Sequence, residues 1–237
     1  MTNDTHTHTH THTPQKSSHK SGWHHTQNSE YLTSIRKRIE STDLTWVRQF
    51  LDIIEQRRGR DQLSIKDIGC QAFQFYKEIK KRNLNYSYFG YELDATYVNL
   101  GLEFFPELSE LVHIGDFSTI ENVNATDVSV CSATIEVVDN WVKFLTKLCD
   151  STEQLIVMRT FLGESTQRAS KRKEGASEDY QIWQFAFTEF FDLMAKLGWH
   201  PEVFRDEFTD SLPVYHNFGK IQGGVVRTQY VIVAERC

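Results

Sequence analysis

The chain has 237 residues, 39% of them hydrophobic and 24% charged, and a formal net charge of −6. That is enough to bury one substantial core, and it lacks the basic balance of a general nucleic-acid binder. No apolar run reaches the ~18 residues of a membrane span, and Met1 to Trp23 has no apolar centre of a secretory signal, so the expected location is the cytoplasm.

Cys70, Cys131, Cys149 and Cys237 are scattered without metal-ligand spacing, so neither a disulfide framework nor a zinc site is expected. The opening repeat from Thr5 to Thr13 alternates threonine with histidine and has no apolar group to offset the entropy of ordering it. Residues 1–27 therefore read as a disordered tail, either solvated, metal-capturing or an engineered tag. Residues 28–237 read as a single domain that begins with a helical cap.

Two helical patterns open that domain. Tyr31, Ile35 and Ile39 share one face, and Leu44, Val47, Leu51 and Ile54 share another. Ser41-Thr42-Asp43 marks the break, with Asp43 as the expected N-cap. Strand and helix patterns then alternate: Leu63 to Ile68 is a strand and Ala72 to Lys81 its helix. Tyr86 to Tyr91 is the second strand, with Asp94 placed to cap the next helix. Val112 to Gly115 and Val128 to Cys131 are the third and fourth strands. A helix carrying Ile135, Val138, Trp141, Val142, Leu145 and Leu148 leads to a fifth strand, Leu155 to Met158. Such alternation predicts a mostly parallel sheet with helices on both faces.

Gly163 to Asp179, with Arg168, Lys171, Arg172 and Lys173, reads as a loop: a surface insertion or a lid that meets an anionic acceptor. An aromatic helix from Trp183 to Leu197 stops at Gly198. Glu202 to Arg205 and Val225 to Val233 have no helix between them and should pair antiparallel.

Chemistry concentrates at the strand tips. Asp67-Ile68-Gly69-Cys70-Gln71-Ala72-Phe73 turns from strand to helix, where a glycine admits close approach to the backbone and the helix start presents N–H donors. Glu92 follows Asp67 by 25 residues, about one strand–helix–strand unit, so both carboxylates should face one pocket. A nicotinamide-binding Rossmann domain shares this acidic tip, but only Gly69 remains of its three glycines.

Five alternating units and a closing antiparallel pair, from about Leu44 to Glu235, resemble the class I S-adenosylmethionine-dependent methyltransferases. That resemblance implies a Rossmann-like three-layer α/β sandwich with a seven-stranded, mostly parallel sheet and an antiparallel last strand. Asp67-Ile68-Gly69-Cys70 matches the family's first motif, with Gln71 and Phe73 where further glycines are usual. Gly90-Tyr91-Glu92-Leu93-Asp94 resembles its second strand end, which makes Glu92 the acceptor for both ribose hydroxyls. Gly115-Asp116-Phe117 resembles the adenine-edge segment. Ser132-Ala133-Thr134 ends the fourth strand, before a stretch with Val137 where histidine is often found.

The implied cofactor is S-adenosylmethionine, bound by Asp67, Gly69, Cys70, Gln71, Glu92, Asp116, Phe117 and Ser132. The expected acceptor is an oxygen or nitrogen of a small molecule or a glycan. His216 and Asp139 are the candidate bases, with Glu136 behind them, while His113 reads as structural and His200 as a turn residue. The altered glycine turn and the missing histidine also admit a non-catalytic methyltransferase-like subunit. Oligomeric state is not legible in the sequence.

Overall fold

The computed structural model describes residues 29–41, 43–172, 179–210, 221–222 and 229–237. The histidine-rich tail, His216 and Lys173 lie outside these residues. Seven strands form the main sheet: β1 (Leu63–Ile68), β2 (Tyr86–Glu92), β3 (Val112–Ile114), β4 (Thr126–Ser132), β5 (Thr152–Gly163), β8 (Trp199–Arg205) and β10 (Gln229–Arg236). Their order is β3-β2-β1-β4-β5-β10-β8, with β1 to β5 parallel and β10 antiparallel to both β5 and β8. The expected seven-stranded sheet with an antiparallel last strand is therefore present. The chain changes direction between β1 and β4, which opens a crevice at the carboxyl ends of the strands.

The two faces of the sheet are covered separately, as alternation requires. On β5, Leu155 and Val157 join one core with Val47, Phe50, Leu51 and Ile54 of helix α2 (Thr45–Arg58) and Phe75 and Ile79 of α3 (Gln74–Lys81). Ile156 and Met158 join the other core with Leu145 and Leu148 of α5 (Trp141–Asp150) and Phe190 and Met194 of α6 (Phe187–Lys196). These strands are apolar on both faces because both faces are buried, and each large side chain closed away adds about 1.5–3 kcal/mol.

Helix α1 (Ser29–Glu40) does not lie on the sheet. Its Ile35 and Ile39 pack with Ala72 of the β1 turn and with Tyr97 and Leu100 of α4 (Ala95–Leu102). The N-terminal helices thus divide the work, with α2 sealing a sheet face and α1 leaning on the loop where β1 ends.

Several local expectations are corrected. The segment after Gly163 is not a loop: β5 runs through to Gly163, and β6 (Gln167–Arg172) pairs antiparallel with β7 (Asp179–Ala186), while β9 (Ile221–Gln222) adds to β6. The charged residues hid the strand because a run of charge without an apolar face reads as a solvated turn. Trp183 lies on β7, and its indole N–H donates to Val138 O at 2.9 Å, fastening the hairpin to the turn after β4. The helix expected from Ile135 is split into a 3-10 turn (Ile135–Val137) and α5, whose start Asn140 caps by accepting from Lys143 N. His200 belongs to strand β8.

Asp43 is not the cap of α2. Leu44 holds that position without a side-chain bond, because the Asp43 carboxylate is drawn 2.9 Å from Lys81 Nζ on α3. The Asp94 cap is present, with Oδ1 accepting from Thr96 N, and Gly198 follows α6 with φ 83°. None of the described helices is long and apolar enough to cross a membrane.

At the amino end of the sheet, Lys66 is fully buried on β1 and donates from Nζ to Asn124 O and Ser151 O. Burial pushes its pKa down to about 7. The folded protein therefore releases this proton at a lower pH than the unfolded chain, whose lysine titrates near 10.5. Its contribution to stability is present above that unfolded value and is lost as pH falls through 7. Denaturant titrations are expected to show stability rising from pH 7 to 9, a slope that Lys66→Met removes.

Candidate functional site

The carboxyl end of β1 and β2 is one continuous hydrogen-bonded unit. Gly69 N and Cys70 N both donate to Tyr91 O, at 2.8 and 3.2 Å, and Phe73 N donates to Cys70 O. Gln71 N donates to Glu92 Oε2 at 2.9 Å, and Asp94 N to Glu92 Oε1 at 3.0 Å. The loop that leaves Asp67 is thus tied by its backbone to the Glu92 carboxylate, while Asp67 itself is buried.

Those bonds also weigh against a pyrophosphate cradle. Such a cradle presents its free N–H groups to the ligand, whereas here the N–H groups of Gly69, Cys70, Gln71 and Phe73 are all used inside the protein. Glu92, by contrast, keeps acceptor capacity, because each carboxylate oxygen has two lone pairs and holds one of these bonds. The remaining capacity suits a vicinal diol. Burial raises its pKa, opposed by the N–H groups of Asp94, Gln71 and Leu93.

The turn itself bends without the usual glycines. Gly69 has φ 75°, but Gln71 and Phe73 also stand in the left-handed region, at 51° and 64°. A side chain there costs on the order of 1 kcal/mol each, so the surroundings must hold them. They do: the Phe73 ring is buried against Gly101 of α4, and Gln71 Nε2 donates to Tyr31 Oη of α1 while its Oε1 accepts from Gln74. At Gly69 a Cβ would collide with the Thr134 hydroxyl, so the turns after β1 and β4 are seated against each other.

Asp67 lies beneath this turn, where Tyr88 Oη donates to its Oδ2 at 2.9 Å. Burial raises its pKa to about 7, the Tyr88 bond opposing and the Glu92 charge reinforcing that shift. Burial likewise pushes the Cys70 thiol up, so it is an apolar wall and not a thiolate.

Beside Glu92, Asp116 Oδ1 accepts from Ser118 N, and the Phe117 ring is buried between Tyr91 and Phe144. Two apolar side chains that sequence reasoning passed over stand open here. Leu93 is 51% exposed, and Ile114, in register with Glu92, is 54% exposed. The signal was available: an apolar residue next to a polar strand tip has no core to enter. His113 stacks on Tyr91, with ring centroids 5.1 Å apart.

A second polar cluster, buried where the turn after β4 meets β5 and β10, was missed except for Glu136. Glu136 in the 3-10 turn is 2% exposed; Thr160 Oγ1 donates to its Oε2 and Gln229 Nε2 to its Oε1, each at 3.0 Å. Arg159 Nε and Nη2 both donate to Gln229 Oε1, and Nε lies 3.5 Å from Asp206 Oδ2. Trp46 of α2 and Phe208 of the short helix α7 (Glu207–Asp210) flank the guanidinium, at 6.0 and 5.3 Å. Burial pushes Glu136 up to about 7. Only the tertiary pairing of β5 with β10 brings these groups together, so no local pattern announces them.

Of the candidate bases, Asp139 is exposed and forms an ion pair with Arg168 of β6 at 2.7 Å. Exposed pairs contribute about 0–1 kcal/mol, so Asp139→Asn is expected to leave the thermal midpoint within about 4 °C by calorimetry. Ser132 ends β4, where Ala133 turns with φ 54° and its N–H donates to Arg159 O. Among the described residues, no group of three or more His, Cys, Asp and Glu is placed to hold a metal.

No family model matches the sequence, and no curated protein matches it. Solved structures do match. A magnesium protoporphyrin IX methyltransferase from Synechocystis PCC 6803, solved with bound S-adenosylhomocysteine, superposes with a TM-score of 0.62 at 10% identity, over 89% of this chain and 95% of its own. The fold is that of the class I S-adenosylmethionine-dependent methyltransferases. An amino pentose methyltransferase from Micromonospora echinaspora, bound to S-adenosylmethionine, gives 0.58 at 14% identity over 88% and 97%. A (4+2)-cyclase gives 0.53 at 11% identity over 79% and 80%. The methyltransferase fold thus also carries other chemistry, and activity has to be argued from this chain's own site.

Proposed function

We propose that this chain is an S-adenosylmethionine-dependent methyltransferase acting on an oxygen, or a nitrogen, of a small molecule or sugar. The observation that carries the reading is Glu92: a half-buried carboxylate at the tip of β2, held by backbone N–H groups that include those of Gln71 and Asp94 and with acceptor capacity remaining. Leu93 and Ile114 offer an apolar seat for an adenine beside it. Asp67, Gly69, Cys70 and Gln71 form the wall on the methionine side, with Asp116, Phe117 and Ser132 bordering the same crevice. The sulfonium supplies the activation, so the protein's task is to align acceptor and methyl group and to keep water away.

Similar structures bound to S-adenosylmethionine and S-adenosylhomocysteine support the cofactor. Titration calorimetry with both compounds tests it: binding of each is expected, and no heat from either would end the reading. A non-catalytic subunit is the second reading, favoured by Gln71 and Phe73 filling a turn that glycines usually leave open. Cofactor binding without methyl transfer to any oxygen or nitrogen acceptor, with a partner protein recovered instead, would decide for it. His216 keeps its place as a candidate base on residue type alone.

A further inference from the structure

Gln71 and Phe73 both stand in left-handed backbone at the turn that leaves β1, a conformation that an L residue keeps only when its surroundings hold it. They are held in different ways. The Phe73 ring is buried in the core between the sheet and its helices, against Gly101 of α4. Gln71 is held by its side-chain amide, which bridges two helices. Its Oε1 accepts from Gln74 Nε2 of α3 at 2.8 Å, and its Nε2 donates to Tyr31 Oη of α1 at 3.1 Å.

Helix α1 is seated for this contact from several sides. Ile35 and Ile39 are buried with Ala72, Tyr97 and Leu100, and Lys77 Nζ of α3 donates to Arg38 O at 3.1 Å. The Tyr31 ring meets Tyr97 edge-on, with centroids 6.2 Å apart. Its hydroxyl is thereby set on the residue of the turn whose own backbone N–H lies 2.9 Å from Glu92 Oε2. One connected path runs from the Tyr31 hydroxyl through the Gln71 amide and the Gln71 N–H to the Glu92 carboxylate.

Resting on the reading of Glu92 as the ribose acceptor, we propose that Tyr31 is a positioning residue of the cofactor site. Its hydroxyl, through the Gln71 side chain, keeps Gln71 in left-handed backbone and so keeps the Gln71 N–H on Glu92. A glycine at 71 would take this φ without support, and the amide bridge does in this chain what a glycine does by itself. When Gln71 leaves the left-handed region, its N–H turns away from Oε2, and the carboxylate loses a donor that fixes its orientation toward the ribose hydroxyls. Tyr31 thus acts through Gln71 and Glu92 and not on the reacting atoms. It serves S-adenosylmethionine and S-adenosylhomocysteine equally, because both carry the same ribose.

Titration calorimetry with these two compounds on the full chain tests the assignment. Tyr31→Phe keeps the ring beside Tyr97 and removes the hydroxyl; it is expected to weaken both compounds by the same factor, about fivefold, as the loss of one neutral hydrogen bond does. In Gln71→Gly, where the backbone needs no support, the same substitution is expected to change nothing. Amide exchange followed by NMR on the ligand-free protein adds a readout independent of the cofactor. In Tyr31→Phe the Gln71 N–H should exchange about fivefold faster, whereas the Asp94 N–H, on the other Glu92 oxygen, should keep its rate. A merely structural Tyr31 would lower the thermal midpoint and leave affinity and this exchange pattern alone. Undiminished affinity in Tyr31→Phe, a loss that persists in Gln71→Gly, or a Gln71 exchange rate that does not respond overturns the assignment while the methyltransferase reading stands. The exchange rates decide the matter if Gln71→Gly does not fold, and wild-type protein that binds neither compound removes both readings.

Discussion

Replacing Glu92 by alanine is expected to weaken S-adenosylhomocysteine binding about 100-fold by calorimetry, the largest single-residue effect on the site. A hydrogen bond to a charged group contributes about 1.5–3 kcal/mol, and the carboxylate keeps acceptor capacity for the ribose hydroxyls. The same oxygens hold Gln71 N and Asp94 N, so the variant also loosens the β1 loop, and its thermal midpoint should fall. Glu92→Gln separates the two effects. Its amide oxygen keeps one acceptor for the loop, whereas its NH2 group faces a neighbouring N–H as a second donor. The glutamine variant should therefore recover part of the stability and little of the affinity. Unchanged affinity in Glu92→Ala would show that the ribose is held elsewhere.

Much of the parallel framework was legible because it is written in local pattern. Buried strands such as Leu155 to Met158 are short apolar runs, and the acidic Glu92 stands at a strand end, half-buried, instead of inside the core. What stayed hidden depended on pairing at a distance. The hairpin of β6 and β7 carries Arg168 over the Trp183 indole and sends Phe185 into the core, while the charge density there resembles a solvated loop. Arg159 lies one residue past the expected fifth strand, and only β10 lying beside β5 delivers Gln229 to it and to Glu136. Asp43 shows the same limit on a smaller scale: its residue type favours a cap, but a lysine from another helix outbids the backbone.

The strained turn is a different kind of surprise. Gln71 and Phe73 break the glycine pattern without changing the path of the chain, because Gly101 leaves room for the Phe73 ring and Tyr31 receives the Gln71 amide. Helix α1 thus takes part in holding the loop that faces the crevice. Local strain at 71 and 73 is offset by packing from two helices, a compensation no window of sequence around the turn contains.

Asp67→Asn is expected to make the ligand-free protein more stable above pH 7 while weakening the cofactor site. The Asp67 carboxyl is buried, and its folded pKa of about 7 stands above the 3.8 of an ordinary aspartate. A raised acid binds its proton more tightly in the folded state. Its contribution to stability is complete below pH 3.8 and is lost as pH rises through 7. Displacement from 3.8 to about 7 corresponds to at most about 4 kcal/mol. Asparagine keeps an oxygen for the Tyr88 hydroxyl and has no charge to bury, so denaturation midpoints should fall less between pH 5 and 8 than in the wild type. A residual slope remains, because Glu136 titrates in the same window. Combining Asp67→Asn with Glu136→Gln should flatten the profile below pH 7, leaving the rise that Lys66 contributes above it, and an unchanged slope below pH 7 in the double variant would show that neither carboxyl is protonated in the folded protein at neutral pH.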